Sequence, residues 1–293
     1  MASLKDIKRK IKSVKGTQKT TRAMKLVSSA KLRRAEQVVK ASKAYALKIT
    51  DMIEEIAANI AKSQEELDHP YFKSVANPKV VDIVLVTSDK GLCGGFNSQT
   101  IKFVNAQIAK FESQGATVRL RAIGKKAISY FKFKNRQMLD QIEGLSSSPD
   151  YQKAAEFIKK VVDSYLNGET DKVIVVHNGY VNMITQEIRV DNLLPLDPNE
   201  FTPKAVSTSE LEIEPDDDSV LEALLNRYFE YIMYYALIDS LAAEHSARMQ
   251  AMDAATNNAK EMVKTLTVQY NKARQEAITT ELIEIISGVE SMK

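Results

Sequence analysis

Between Gly16 and Pro70, and again between Pro215 and Gly288, the chain contains neither proline nor glycine. Few folds tolerate two uninterrupted stretches of that length. In the first, one residue in every three or four falls on a seam: Ile7, Ile11, Val14, Gln18, Thr21, Lys25, Ser28, Leu32, Ala35, Val39, Ser42, Ala46, Ile49, Ile53, Ile56 and Ile60. Steps alternating between four and three are a coiled-coil period, not a strand period. Ser3 and Asp6 make a capping pair for its start. The second stretch opens on Asp216, Asp217, Asp218 and Ser219. These suit a helix N-terminus, where unpaired N–H groups and the dipole favour oxygen and negative charge. Its seam runs Leu221, Leu225, Tyr228, Ile232 and Tyr235, then Leu241, His245, Met249, Met252, Thr256, Ala259, Val263, Leu266, Tyr270, Ala273 and Ala277. Such a helix is roughly 100 Å long.

Residues 78–200 read differently. Val80–Thr87, Thr117–Ile123 and Lys172–His177 have strand character, with a further short strand within Gln137–Ile142. Thr100–Phe111, Lys125–Phe131 and Tyr151–Leu166 have helical periodicity. An Asn178-Gly179 turn leaves no room for a helix before Thr185–Leu194, which is therefore expected as an antiparallel edge strand. The alternation predicts a small, mostly parallel, Rossmann-like sheet with helices on its faces. The expected organisation is an N-terminal helix over 1–62, a linker over 63–77, the α/β domain over 78–200, a linker over 201–215 and a C-terminal helix over 216–293.

Two long helices that enter and leave one compact domain bury their seams together only by lying antiparallel. The C-terminal helix is the longer by about ten residues, so its end overhangs by ~15 Å. That overhang carries Ile278, Leu282, Ile283, Ile285, Ile286 and Val289. An apolar tip of this kind is expected to turn inside something else. The first seam becomes polar at Gln18, Thr21, Lys25 and Ser28, with Met24 and Val27 beside it, which makes a poor dimer core and suits a rod inside another protein.

Charge is divided between the two arms. Residues 1–50 hold fifteen Lys or Arg against Asp6 and Glu36, while residues 216–293 hold seven against thirteen Asp or Glu. The basic arm suits an acidic protein surface or nucleic acid alike. The lone Cys93 leaves no intramolecular disulfide framework and no multi-cysteine metal site. MASLKDIKRKIK lacks the apolar core of a signal peptide, and no apolar run is long enough to span a bilayer.

"SDKGLCGGFN", residues 88–97, sits where a phosphate loop would, after the first strand. Counting from Gly91, the positions that a dinucleotide fingerprint reserves for glycine hold Cys93 and Phe96, and a P-loop pattern is absent throughout. Cys93 as a nucleophile needs a base. His69, His177 and His245 fall in a linker, a strand end and a coiled-coil seam, with neither triad nor metal spacing. Asp216, Asp217 and Asp218 are explained by a helix start. No catalytic residue, metal site or cofactor is assigned. Two other readings remain: a nucleotide-using α/β enzyme, and a basic coiled-coil nucleic-acid binder using Lys5, Lys8, Arg9, Lys10, Lys12 and Lys15, which lacks nearby aromatic residues for stacking.

Three segments carry a resemblance: "LKDIKRKIKSVKGTQKTTRAMKLVSSAKLRRA", "SDKGLCGGFN" and "EHSARMQAMDAATNNAKEMVKTLTVQYNKARQEAITTELIEIISGVESM". In this order, and over nearly the whole chain, the sequence resembles the γ-subunit family of F-type ATP synthases. Ile278-Thr279-Thr280-Glu281, Glu284 and Gly288 match the family's C-terminal pattern, with Val289 where alanine is usual. The thiol-containing insert of chloroplast relatives is missing.

The resemblance implies a non-catalytic rotary shaft. Its partners are the α and β subunits of the catalytic ring, the ε subunit and the c-subunit ring of the membrane sector, with no nucleic acid and no membrane span of its own. The segment matching Lys90 to Lys102 lies in the family against an acidic lever of β. That gives a contact role to Lys90, Cys93, Gly94, Gly95 and Lys102, the two glycines permitting close approach. Arg274 and Gln275 match the part of the helix that meets a β loop, joined there by Thr279 and Glu281. Glu244 and Arg248 are implied in coupling through charge along the shaft, and Met24 and Lys25 in contact with the ring. The implied location is the cytoplasmic face of a bacterial plasma membrane, favoured over a mitochondrial one.

Overall fold

The computed structural model describes residues 3–62, 70–72, 75, 77–196 and 218–292. The expected link over 201–215, with Asp216 and Asp217, lies outside the described residues, as does most of 63–77. Helix α1 spans Leu4–Lys62 and helix α5 spans Asp218–Glu290. Between them, in chain order, run strand β1 (Val80–Val86), helix α2 (Phe96–Ser113), strand β2 (Thr117–Ile123), helix α3 (Lys125–Phe133), strand β3 (Asp140–Ile142), helix α4 (Tyr151–Leu166), and strands β4 (Lys172–Tyr180) and β5 (Gln186–Leu194). The chain divides into two compact units: Met1–Ser29 with Arg248–Lys293, and Ala30–Ala247.

In the first unit the seam is the one read from the sequence. Thr21 and Ser28 are buried, while Ile7, Ile11, Val14, Gln18 and Lys25 are half-buried among exposed neighbours. Across from them, Met252, Ala259 and Leu266 are buried. The Thr21 and Thr256 hydroxyls lie 2.8 Å apart, and Lys25 donates from Nζ to Asp253 Oδ1 at 2.7 Å. As one partner advances the other recedes, so the helices are antiparallel. Ser3 Oγ caps the start of α1, accepting from Asp6 N and donating to Asp6 Oδ2. Continuing the Thr21–Thr256 register brings Leu4 level with Ala273. Beyond that point α1 offers nothing opposite, and Ile278, Leu282, Ile283, Ile285, Ile286 and Val289 are 49–65% exposed.

The second unit is built on a five-stranded sheet of order β3-β2-β1-β4-β5. The first three pairings are parallel; β5 is the expected antiparallel edge. Strand side chains alternate between faces. Val81, Ile83 and Leu85 join α2 and α3 on one side, where Val104, Ile108, Ala127, Ile128 and Phe131 are buried. Val84, Val86, Val173 and Val175 join α4 and α5 on the other, with Phe157, Val161, Phe229, Met233 and Leu237. Tyr71 and Phe72 belong to that second core, so part of the stretch read as a linker is packed.

Two local readings change. Asn178 and Gly179 continue β4, with Gly179 opposite Glu187, and the reversal comes later, at 181–185. There Asn182 Oδ1 accepts from the N–H groups of Ile184 and Thr185. Gly179 is set by close approach: a Cβ on it would lie 2.5 Å from Arg189 Nε and 2.7 Å from Asp239 Oδ2. Helix α5 is also more than a seam. Nearly every residue from Ala236 to Ala247 is buried, so this portion is a core helix of the second unit.

Candidate functional site

In doubly wound sheets the ligand crevice lies at the carboxyl ends of the strands, where the strand order reverses. Here that point is between β1 and β4, and Ser88–Gly95 is the loop leaving β1. Its framework is internal. Ser88 donates from N to Asn97 Oδ1 at 3.0 Å and from Oγ to the Lys90 carbonyl at 2.7 Å. Asn97 Nδ2 reaches Cys93 Sγ at 3.1 Å. Cys93 is only 2% exposed and packs with Phe96 against Ala243 and Ala247 of α5. The crevice is thus filled by small side chains of the chain's own helix.

The thiol therefore faces inward within this chain, its side chain packed in a small core. The loop's outward residues are Lys90, Leu92, Gly94 and Gly95. Leu92 and Gly94 both have left-handed backbone, at φ 63° and 56°. Gly94 is suited to that conformation, whereas Leu92 is strained in it. Gly95 has the side chain of Gln99, in its own helix, against the position of a Cβ. Leu92 was missed in the sequence because a left-handed leucine leaves no compositional mark. Lys102 is exposed on α2, the helix that follows the loop.

Asp89 is the second residue the sequence reading passed over. Its carboxylate accepts from Lys125 N at 3.0 Å, Gly144 N at 3.1 Å and Ser146 Oγ at 3.0 Å, tying together the loops that follow β1, β2 and β3. Burial alone raises its pKa. The N–H groups of Gly144 and Lys125 and the hydroxyls of Ser147 and Ser146 outweigh that effect and hold it below the usual value. Because the folded pKa is the lower one, the stabilisation is present above the unfolded value near 3.9 and is lost as pH falls through the folded value. Asp89→Asn is expected to lose about 1 kcal/mol at neutral pH. The gap between it and the parent chain should close on acidification; a constant gap in urea titrations at successive pH values contradicts this assignment.

The remaining expected contact residues fall into three environments. Met24 and Lys25 are half-buried on α1, Lys25 in its ion pair with Asp253. Glu244 and Arg248 are buried side chains of α5, so neither offers an outward face. Arg274, Gln275, Thr279 and Glu281 are exposed on the last part of α5, where Thr279 Oγ1 donates to the Gln275 carbonyl at 2.9 Å. These sets are not gathered into one cleft. Among the described residues, no group of three or more His, Cys, Asp or Glu is arranged to hold a metal ion. No helix among them is long and apolar enough to cross a membrane.

Two solved structures are similar in fold. One is from the central stalk/c-ring of Tetrahymena thermophila mitochondrial ATP synthase, with TM-score 0.63 and 24% identity over 80% of this chain and 99% of that one. The other is from Euglena gracilis mitochondrial ATP synthase, with TM-score 0.58 and 17% identity over 90% and 95%. In sequence, the ATP synthase gamma chain of a Sulfurovum species is 66% identical over 295 residues, and that of a Nitratiruptor species 60% over 295; both alignments cover 100% of each chain. The family model described as ATP synthase matches residues 3–292. With a match of that extent and relatives of that identity along its whole length, the chain belongs to the ATP synthase gamma-chain family.

Proposed function

We propose that this chain is the central rotating shaft of an F-type ATP synthase, transmitting torque between a membrane ring and a catalytic ring and contributing no catalytic group itself. The observation that carries this reading is full-length identity to ATP synthase gamma chains. Likeness in fold to a Tetrahymena central stalk/c-ring component supports the same place in an assembly. The physical character of the rod agrees. Its paired portion joins small, hydroxyl and charged residues, which hold two helices together without presenting a broad adhesive surface. The exposed apolar end of α5 fits an apolar sleeve.

On this reading the partners are α, β and ε subunits and the c-ring, and the location is the cytoplasmic face of a bacterial plasma membrane. The segment holding Lys90, Cys93, Gly94, Gly95 and Lys102 meets an acidic lever of β, with Leu92 exposed beside them. Met24 and Lys25 lie along the rod inside the ring. Glu244 and Arg248 act within the chain, stiffening the helix that transmits torque. Arg274 and Gln275, with Thr279 and Glu281, meet a β loop at the catch. Arginine suits that role because its planar fork serves carboxylates and carbonyls alike.

The test is assembly. The chain should copurify with α and β and restore coupled synthesis to a complex lacking its shaft, while the purified chain alone hydrolyses no ATP. Turnover by the pure chain would sink the non-catalytic reading. Arg274 is exposed and has no ion pair among the described residues. Arg274→Ala should therefore leave helix content intact and lower synthesis on the order of tenfold, equivalent to one charged hydrogen bond. Unchanged synthesis removes Arg274 from the catch.

A further inference from the structure

The inner side of the β4–β5 hairpin holds a set of charged groups that none of the roles above uses. His177 on β4 is 1% exposed and lies between two carboxyl groups. Its Nε2 is 3.2 Å from Asp239 Oδ2 on α5, and its Nδ1 is 3.4 Å from Asp191 Oδ2 on β5. Asp239, fully buried, also accepts from Arg189 Nη1 at 2.9 Å and from the Tyr180 N–H at 3.2 Å. The other groups about this set are Glu187 on β5, which pairs with Arg189, the Tyr235 phenol on α5, and the Tyr180 hydroxyl, which donates to Glu36 on α1. Strand β1 places Val84 and Val86 on this face, with Asp82 farther along it, occupied by Arg119 and Arg121.

Donor counting constrains the protons. Asp239 receives donors from Arg189 and Tyr180, neither of which can accept in return, so its carboxylate serves as an acceptor and His177 donates to it from Nε2. A neutral imidazole has only one N–H. Its Nδ1 then points a lone pair at the Asp191 oxygen, acceptor against acceptor, and among the described residues Nδ1 has no hydrogen-bond partner. A buried polar atom in that position is costly. A proton on the Asp191 carboxyl gives that lone pair a donor to face.

We infer that this joint is a single-proton site: one titratable proton, on the Asp191 carboxyl and facing His177 Nδ1, fastens edge strand β5 to α5, and its release at rising pH loosens the hairpin. The Asp191 side chain is 40% exposed, which gives the proton a route to water. Burial raises the Asp191 pKa, with Asp239 adding to the rise while His177 and Arg189 oppose it. That direction means the folded joint holds its proton more tightly than the unfolded chain. Its stabilisation is present at low pH and is lost as pH rises through the folded value.

The experiment replaces the proton with a permanent donor. In Asp191→Asn, the amide supplies an N–H toward Nδ1 at every pH. Hydrogen exchange of the Tyr180 amide, remote in sequence from residue 191, is measured in the full-length parent and variant at the same pH values. The ratio of rates, parent over variant, should be near one at acid pH, where the parent Asp191 carries its proton, and rise to roughly tenfold at alkaline pH, where it does not. Asp191→Ala, which removes the carboxyl without adding a donor, should lose the pH-dependent component. A ratio independent of pH, or full pH dependence retained in Asp191→Ala, overturns the proposal.

Discussion

Replacing Asp82 by alanine is expected to destabilise the sheet-bearing unit by about 3–5 kcal/mol. Asp82 lies in β1, fully buried, and binds two arginines of β2: Arg119 through Nε at 2.6 Å and Nη2 at 3.0 Å, and Arg121 through Nε at 2.9 Å. Arg121 is itself 3% exposed, with its remaining donors on Asp140 of β3 and Ser164 of α4. The hydrogen bond from Arg119 to Asp82 raises the Arg119 pKa above the usual guanidinium range. Removing the carboxylate leaves a buried guanidinium with half its compensation, the situation in which a broken internal ion pair is most costly. The double variant Asp82→Ala/Arg121→Ala should lose less than the sum of the two single variants. Urea denaturation reads both quantities. A loss below about 1 kcal/mol for Asp82→Ala would show that the network is compensated by water.

Gly124→Ala should be comparably severe, for a different reason. Gly124 joins β2 to α3 at φ 100°, donates its N–H to the Ile142 carbonyl, and lies against the end of β1. A Cβ there would sit 2.0 Å from the Thr87 carbonyl oxygen and 2.7 Å from its carbon, both main-chain atoms that cannot rotate away. Backbone strain and overpacking together put the loss at about 3–5 kcal/mol. Gly144→Ala is the control. Gly144 has φ 84° but open space around the Cβ position, so it isolates the conformational cost, about 1 kcal/mol. Equal losses in the two variants would refute the steric part of the argument. Because the adjoining Ser88 and Asp89 anchor the loop after β1, Gly124→Ala should also disturb that loop's outward face.

The helical rod was legible because its signal is repetitive: Thr21, Ser28, Met252, Ala259 and Leu266 all fall where the alternating steps place them. The strands were legible for a related reason, since Val80–Val86 and Thr117–Ile123 are apolar enough to be recognised alone. Asn178-Gly179 misled because its turn propensity is local, whereas β4 is prolonged by pairing with β5 and by the need for a residue without a side chain beside Arg189 and Asp239. The surroundings of Cys93 are set at equally long range. Its loop is on the surface, but the thiol is buried by Ala243 and Ala247, about 150 residues later. Leu92 and Asp89 owe their importance to a backbone angle and to three strand ends meeting, neither of which a single sequence encodes at short range. The outward positions, by contrast, came through resemblance alone.

The place of α5 in the second unit also dictates when that unit can finish folding. One face of the sheet is covered partly by α4, but Leu225, Tyr228, Phe229, Met233 and Leu237 complete it. A ribosome delivers these residues only after every strand has been made. Until then Val84, Val86, Val173 and Val175 lack part of their cover, and the nascent chain carries an apolar surface of the kind that attracts chaperones or other unfinished chains. Closure joins β1 to a helix lying more than 130 residues away, a contact order that slows folding relative to a local helical hairpin. Premature termination anywhere before α5 therefore yields more than a shortened rod: it leaves a sheet that cannot shield its own interior.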